Sequence, residues 1–175
     1  RMKLQLAMME KTSGIDELKS DISEMERMIE GYLAFARGEG TDPVAPTNLR
    51  DLLEDVVASA RRAGGDLKLR AEGALTLPLR KEAMHRCFAN LINNATRHGK
   101  HVAVTASRRG NSVEVMVDDD GPGIPEDQRE SVFRPFHRLE GSRNVETGGV
   151  GLGLTIARDV IHNHGGEIVL ADAPA

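Results

Sequence analysis

Two neighbouring stretches of alternating apolar and polar residues constrain the fold of this chain most strongly. "HVAVTAS" at 101–107 and "SVEVMVD" at 112–118 place apolar side chains at every second position, which is the period of a half-buried strand. The intervening "RRGN" is short and contains glycine, so it favours an antiparallel hairpin. A hairpin with one apolar face needs a covering layer, and the sequence therefore predicts a sheet packed against helices.

Three segments with helical periodicity can supply that layer. The first begins after Thr47 or Asn48, either of which can cap it, and the second runs from about 80 to 98. The third is "LGLTIARDVIHNH" at 152–164. The apolar faces of the first two helices are Leu49, Leu52, Leu53, Val56, Val57 and Ala60, followed by Met84, Cys87, Phe88, Leu91, Ile92 and Ala95.

The order of the elements does not alternate regularly between strand and helix. Further short strands are predicted at 66–71 and 74–77, and "GEIVLAD" at 166–172 is typical of a last strand. We therefore expect an α+β fold. Its globular part, residues 49–175, should be a two-layer α/β sandwich rather than a doubly wound sheet.

Residues 1–38 have a different periodicity, with apolar residues spaced alternately by three and four, as in a coiled-coil seam. The seam consists of Ile15, Leu18, Ile22, Met25, Ile29, Tyr32 and Ala36. "TSG" at 12–14 separates it from a first helix over 1–11, so we expect a helical hairpin whose exposed face meets a second copy in a dimeric four-helix bundle. Packing of the hairpin on the chain's own globular part is the alternative. Residues 39–48, with two prolines and no periodicity, are predicted to be a linker.

Composition narrows the function. The net charge of −4, the absence of Trp and the single Tyr argue against a nucleic-acid surface. No apolar run approaches the roughly 20 residues of a membrane-spanning helix. The histidines show no metal-ligand spacing, and Cys87 is the only cysteine, so we expect no disulfide and an inert buried thiol.

Asn90, Asn94 and Arg97 form a narrow polar stripe beside the apolar face of the second helix. A solvated helix edge is one explanation, but asparagine is a mediocre helix former, so its repeated use needs another reason. An amide oxygen is a suitable hard ligand for Mg²⁺, which takes few protein ligands when it rides on phosphates.

Two glycine-rich segments flank a long loop. "GGVGLGL" at 148–154 precedes the third helix, where free N–H groups and the helix dipole favour an anion, although it fits neither the P-loop nor the dinucleotide fingerprint. "DDDGPGIP" at 118–125 places carboxylates beside a flexible turn, and an ionised carboxylate selects a partner with an exocyclic amine, such as adenine. The polar segment 125–148 is typical of a lid, held by Phe133 and Phe136. With the asparagine stripe, these features describe an ATP site.

Four motifs in this order resemble those of two-component sensor histidine kinases. "NLINNA", "DDGPGIP", "VFRPF" and "GGVGLGL" are similar to the asparagine box, first glycine box, phenylalanine box and second glycine box of that family. "MERMIEGYLAFARGEG" at 25–40 resembles its second dimerisation helix, in particular that of the osmosensor-type subgroup. The resemblance implies the left-handed-crossover ATP-binding sandwich shared with gyrase-type ATPases and heat-shock chaperones. It also implies transfer of the γ-phosphate of Mg-ATP to a histidine and then to an aspartate of a response regulator receiver domain.

The resemblance implies roles for individual residues. Asn94 matches the Mg²⁺ ligand, Asn90 the first asparagine of its box, and Asp119 the adenine-binding carboxylate. Arg97 and His98 match positions near the phosphates, and Asn94, Asn90 and Arg97 are the implied catalytic set. The other implied nucleotide-binding residues are Gly121, Gly123, Ile124, Phe133, Phe136, Gly149, Val150, Gly151, Leu152, Gly153 and Leu154, with Arg138 or Arg143 of the lid near the γ-phosphate.

One motif of the family has no counterpart. Its phosphoacceptor lies in a box of the type His-acidic-x-Arg-Thr-Pro, and none of the six histidines is followed by such a sequence. We therefore expect the first helix to be a remnant and this chain not to phosphorylate itself. The resemblance implies a parent protein anchored in the inner membrane with this part in the cytoplasm. The alternatives are an ATPase or serine kinase on the same fold, or a non-catalytic dimeric scaffold. The related ATPases carry a glutamate where Asn90 stands, so the absence of that glutamate favours phosphate transfer to a protein over hydrolysis.

Overall fold

The computed structural model describes residues 42–73, 75–139 and 151–172, which all lie in the second of two compact units, Gly40–Ala175. The predicted dimerisation hairpin lies outside the described residues. No helix within these ranges is long and apolar enough to cross a membrane. The regular elements, in chain order, are β1 (Val44–Asn48), α1 (Leu49–Arg62), β2 (Asp66–Ala71), β3 (Thr76–Arg80), α2 (Lys81–His98), β4 (His101–Arg109), β5 (Ser112–Asp119) and α3 (Gly153–Asn163), with short 3₁₀ turns at Glu126–Gln128 and Ser131–Phe133.

The strands form two sheets. In the mixed sheet β2 pairs in parallel with β4, and β4 pairs with β5 in the predicted antiparallel hairpin, with Val102 opposite Asp119. β1 and β3 form a separate antiparallel ribbon in which Pro46 faces Pro78. Because proline has no N–H to donate to a ladder, opposed prolines suit a two-stranded ribbon better than the centre of a sheet.

The first two helices cover one face of the mixed sheet, and α3 packs against α2. Leu69, Val104 and Val117 lie side by side in the register of that face, and they pack with α1, α2 and α3 in one core. The apolar faces of α1 and α2 are buried as predicted, except that Leu91 is half-buried at the margin. Cys87 lies at the centre, and burial raises the pKa of its thiol to about 12, as expected for an inert cysteine. The predicted α+β sandwich is confirmed.

Asn48 is the residue that caps α1. Its side-chain oxygen accepts a hydrogen bond from the Arg50 N–H at 3.1 Å. The hydroxyl of Thr47, the other candidate, instead donates to the Ala45 carbonyl at 3.0 Å. This hydrogen bond satisfies one of the backbone N–H groups that lack an intrahelical partner at the start of the helix.

Two predicted segments differ from the structure. Residues 44–48 were assigned to the linker, but they form β1, because the ladder to β3 satisfies their backbone groups and buries Thr47. Residues 166–172 form no regular strand. Their burial alternates as in a strand, with Ile168 and Leu170 half-buried and Val169 exposed, but no strand in the described ranges forms a ladder with them.

Candidate nucleotide site

α2 carries the predicted asparagine stripe at the edge of its buried face. Asn90 and Asn94 are half-buried and one turn apart, while Arg97 and His98 are exposed in the last turn. Among the described residues neither asparagine side chain makes a hydrogen bond. From Asn90 to His98 the stripe extends on the order of 12 Å, at 1.5 Å per residue. α2 thus presents two available amide groups and a basic end along one edge.

The turn after β5 lies directly against the C-terminal end of α2. Gly121 has no room for a side chain, because an added Cβ would lie 2.5 Å from Asp119 Oδ1 and 2.8 Å from the His98 carbonyl oxygen. Gly99, which ends α2, is similarly confined, since its Cβ would lie 2.8 Å from Asp119 Cβ. Both glycines allow the backbones to approach closely, and this approach places Asp119 beside the end of the stripe.

Asp119 is the half-buried carboxylate of this turn. Side chains alternate along β5, so Asp119 lies on the same face as Val117 and Val115, which pack on the core. Its Oδ1 accepts a hydrogen bond from the Gly121 N–H at 2.9 Å. Within the described residues no group donates to its other oxygen, Oδ2, which therefore remains available to an amine.

Asp120 has a different environment. It accepts hydrogen bonds from the backbone N–H groups of His101 at 2.9 Å and Lys100 at 2.6 Å, and its Oδ2 lies 2.7 Å from Nδ1 of the His101 ring. These bonds, led by that of the His101 N–H, hold the pKa of the Asp120 carboxyl well below its usual range. Asp118 is opposite Ala103 in the ladder, on the other face of the sheet from Asp119. The three consecutive carboxylates thus have separate surroundings, and Asp119 alone of the three belongs to the face that meets the helices.

The second glycine box begins α3 beside Asn90. A Cβ added to Gly153 would lie 3.8 Å from the Cβ of Asn90, so the first turn of α3 touches the start of the stripe. Leu152 is buried, Leu154 is half-buried, and no side chain of the described residues caps the first N–H groups of this helix. Uncapped N–H groups at a helix start can bind an anion. Gly149 and Val150 lie outside the described residues.

The two residues of the phenylalanine box differ in burial. Phe133 is 7% exposed and lies under α3, where the Thr155 hydroxyl donates to its carbonyl oxygen at 2.9 Å. Phe136 is 55% exposed and has a φ of 63°, which is rare for a residue with a side chain. Its N–H donates to the Gly151 carbonyl at 3.0 Å. Sequence reasoning gave both rings the same anchoring role, whereas the structure buries Phe133 alone.

The remaining predicted residues are Gly123, Ile124, Arg138 and Arg143. Gly123 has a φ of +71°, which glycine adopts readily, and the half-buried Ile124 accepts a hydrogen bond from Arg129 Nε at 3.2 Å through its carbonyl oxygen. Arg138 is half-buried, and Arg143 lies outside the described residues. Thr155 and its neighbour on α3, Arg158, were not predicted, because no motif or spacing singles them out.

Asn94 is the predicted Mg²⁺ ligand, and its chemistry fits that ion. In the described ranges no group of three or more His, Cys, Asp or Glu residues could hold a metal. Mg²⁺ keeps several waters and is often bound by one or two protein oxygens together with substrate phosphates. An amide oxygen without a protein partner suits an ion that arrives with a nucleotide.

Comparison with known proteins defines the class to which this fold and site belong. Residues 80–175, more than half of the chain, match the family described as "Histidine kinase-, DNA gyrase B-, and HSP90-like ATPase". The chain therefore belongs to this family, as its motifs predicted. Within the family it is homologous to sensor histidine kinases.

Two curated relatives and one solved structure show the extent of the similarity. Sensor protein RstB of Escherichia coli is 34% identical over 178 residues, which cover 96% of this chain and 41% of RstB. Sensor histidine kinase GtrS of Pseudomonas aeruginosa is 31% identical over 170 residues, which cover 97% of this chain and 35% of GtrS. The chain thus spans roughly two-fifths or less of these relatives. The ATP binding domain of PrrB from Mycobacterium tuberculosis superposes with a TM-score of 0.63 at 27% identity, covering 76% of this chain and 90% of that domain.

Proposed function

We propose that this chain is the ATP-binding catalytic part of a sensor histidine kinase and transfers the γ-phosphate of ATP to a histidine. The position of α2 between two glycine turns supports this most directly. Gly121 lies against His98 at one end of the asparagine stripe, and Gly153 lies against Asn90 at the other. A nucleotide along the stripe would have its base at the first turn and its phosphates at the second.

Asp119 would select the base. Its Oδ1 is held by the Gly121 N–H, so the carboxylate has a fixed orientation and Oδ2 can accept a hydrogen bond from the adenine amine. Guanine has an oxygen in place of that amine and would face the carboxylate with like partial charge. The site should therefore prefer adenine nucleotides.

The phosphates would lie between the start of α3 and the stripe. The uncapped N–H groups of α3 favour negative charge there, whereas Arg97 and His98 are exposed at the other end of the stripe, beside the turn proposed for the base. Asn94 would hold Mg²⁺, which when bound neutralises charge on the phosphate oxygens. Since phosphoryl transfer depends mainly on positioning and charge neutralisation, these groups suffice for the chain's part in the reaction.

The phosphate acceptor would be an imidazole nitrogen of the family's histidine box. As the nitrogen attacks the γ-phosphorus, the bond from phosphorus to the bridging oxygen breaks and ADP leaves with that electron pair. Asn90 has no carboxylate to activate water as a general base, which favours transfer to the imidazole over hydrolysis. The phosphate would then pass to an aspartate of a response regulator.

The proposal extends to the chain's partners. Residues 1–38 would form a homodimer through the predicted hairpin, and the parent protein would be an inner-membrane sensor with this part in the cytoplasm. The names of the matched relatives, a sensor protein and a sensor histidine kinase, support the assignment of the parent protein as a sensor.

Phosphate transfer from radiolabelled Mg-ATP tests the proposal. The chain is assayed alone and with an added partner chain that supplies a histidine box; label on the partner only, in an acid-labile form, is expected. Asn94→Ala should abolish transfer with the fold intact, whereas Asn93→Ala, on the exposed side of the same helix, should retain it. Acid-stable label would indicate a serine kinase, release of free phosphate an ATPase, and failure to bind nucleotide a scaffold. Full activity of Asn94→Ala would contradict the metal assignment.

A further inference from the structure

A buried threonine on α3 contacts the segment that contains the phenylalanine box. Thr155 is 8% exposed, and its hydroxyl donates to the carbonyl oxygen of Phe133 at 2.9 Å. Phe133 ends a 3₁₀ turn, so this carbonyl is near the end of a helical segment, where carbonyl groups lack partners within the segment. The hydroxyl therefore satisfies a buried acceptor for which the rest of the described chain offers no other donor.

Arg158, one turn further along α3, contacts the same segment from its exposed side. Its guanidinium lies 5.0 Å from the centroid of the Phe133 ring, and its Nη1 donates to Glu130 Oε2 at 3.0 Å. The ion pair is exposed and contributes little by itself, but the cation over the ring adds a second point of attachment.

The attached segment in turn determines the position of the second glycine turn. The Phe136 N–H donates to the Gly151 carbonyl, and a Cβ on Gly151 would lie 2.9 Å from the Phe136 carbonyl carbon, so the two backbones are in direct contact. Two residues later, Gly153 touches Asn90. A continuous chain of contacts thus leads from Thr155 to the asparagine stripe.

We propose that Thr155 is a positioning residue of the nucleotide site: its hydroxyl fixes the Phe133 segment, which holds the glycine turn at the correct distance from Asn90. Thr155 itself does not touch the nucleotide. Without the hydroxyl, the buried Phe133 carbonyl loses its partner, the segment shifts, and the turn at Gly151 moves with it. This inference rests on the proposed function, because it concerns how the ATP site is held.

A matched pair of substitutions separates positioning from general stability. Thr155→Val and Thr47→Val remove the same atom at equal exposure, 8% in each case, and each hydroxyl donates to a backbone carbonyl at about 3 Å. Thr47 lies in β1, outside the contact chain described above. Both variants should therefore lose stability, but only Thr155→Val should weaken nucleotide binding.

The measurement is the affinity of the full chain for ADP with Mg²⁺, by isothermal titration calorimetry, beside the unfolding midpoint of each variant. We expect binding to Thr155→Val to be about three- to tenfold weaker, the change that one net hydrogen bond supports. Thr155→Ser, which keeps the hydroxyl, should bind like wild type, and so should Thr47→Val. Arg158→Gln should bind ADP about two- to fivefold more weakly than wild type, because the cation over the Phe133 ring is lost. If Thr155→Val does not fold, the affinity of Arg158→Gln takes its place in the test.

The two levels of the proposal fail in different ways. A wild-type chain that does not bind ADP contradicts the proposed function. Wild-type affinity in Thr155→Val, or in Arg158→Gln when Thr155→Val does not fold, contradicts the positioning role alone. Equal weakening in Thr155→Val and Thr47→Val would also overturn it, because stability would then explain both.

Discussion

Substitution of Gly121 by alanine should disrupt the end of the site that we propose to bind adenine. The added Cβ would lie 2.5 Å from Asp119 Oδ1 and 2.8 Å from the His98 carbonyl oxygen. Real Cβ atoms do not approach heavy atoms this closely, so one of the neighbours must move. The carbonyl belongs to the last residue of α2 and is held by the helix, which leaves the carboxylate or the whole turn to shift.

Either shift has a predictable cost. If the carboxylate rotates away, it loses the hydrogen bond from the Gly121 N–H, and a bond to a charged acceptor contributes about 1.5–3 kcal/mol. If the turn shifts, overpacking lowers the free energy of unfolding by about 1–3 kcal/mol. In both cases Asp119 leaves its position, so we expect nucleotide affinity to fall about ten- to hundredfold, the equivalent of one charged hydrogen bond.

Calorimetric titration with ADP, paired with urea unfolding, measures both effects. Gly110→Ala is the matched control, because Gly110 lies in the β4–β5 turn with a φ of +61° and no atom within 4 Å of an added Cβ. That variant should lose about 1–2 kcal/mol of stability from the left-handed backbone alone and retain its affinity. Wild-type affinity in Gly121→Ala would refute the steric argument, and equal affinity losses in the two variants would show that the effect is not local.

Three further predictions concern stability. Hydrogen bonds lower the folded-state pKa of Asp120, so the stability that its carboxylate contributes is present above the unfolded pKa and is lost as the pH falls below about 4. Asp120→Asn should therefore flatten the dependence of the unfolding midpoint on pH in that acid range, and an unchanged profile would contradict this. Asp42 caps α2 from 40 residues away, because its Oδ2 accepts a hydrogen bond from the Glu82 N–H at 2.7 Å. Asp42→Ala should therefore lower the free energy of unfolding, measured by urea denaturation, by about 0.5–2 kcal/mol, and an unchanged value would exclude the cap. Thr105 Oγ1 is buried, and no group of the described residues forms a hydrogen bond with it, so Thr105→Val should leave the melting temperature unchanged or raise it; a clear decrease would contradict this.

Periodicity predicted the parts of the fold that depend on local pattern. The spacing of apolar residues predicted the buried faces of α1 and α2 and the β4–β5 hairpin, because the positions that face the core must be apolar. β1 escaped prediction because its partner is about 30 residues away and its prolines favour a loop. The strand predicted at 166–172 has the correct alternation of burial, but alternation does not determine whether a ladder partner is present.

In the candidate site too, features that depend on a local motif could be predicted, whereas contacts between distant segments could not. Asp119 was distinguished from its neighbours by the family resemblance alone, because it stands two residues before Gly121 and four before Gly123. The anchoring of Asp120 depends on His101, on the adjacent strand, and that of Phe133 depends on Thr155, in α3. Such contacts between distant segments leave no regular spacing in the sequence, so the partners of Asp120 and Phe133 could not be assigned from the motifs alone.

The glycines of the two boxes are required for different physical reasons, so a motif match alone does not show why a glycine is needed at each position. Gly121 is required because two backbones meet there, whereas Gly123 has open space around its Cβ position and is favoured only by its positive φ. Gly151 combines both constraints, since it has a φ of +76° and is in contact with Phe136. A substitution at Gly123 therefore strains the backbone of the turn without a steric clash, while one at Gly121 or Gly151 must move a neighbouring segment. The site is thus held together where its backbones touch α2 and the phenylalanine box, and its geometry should be most sensitive at these contacts.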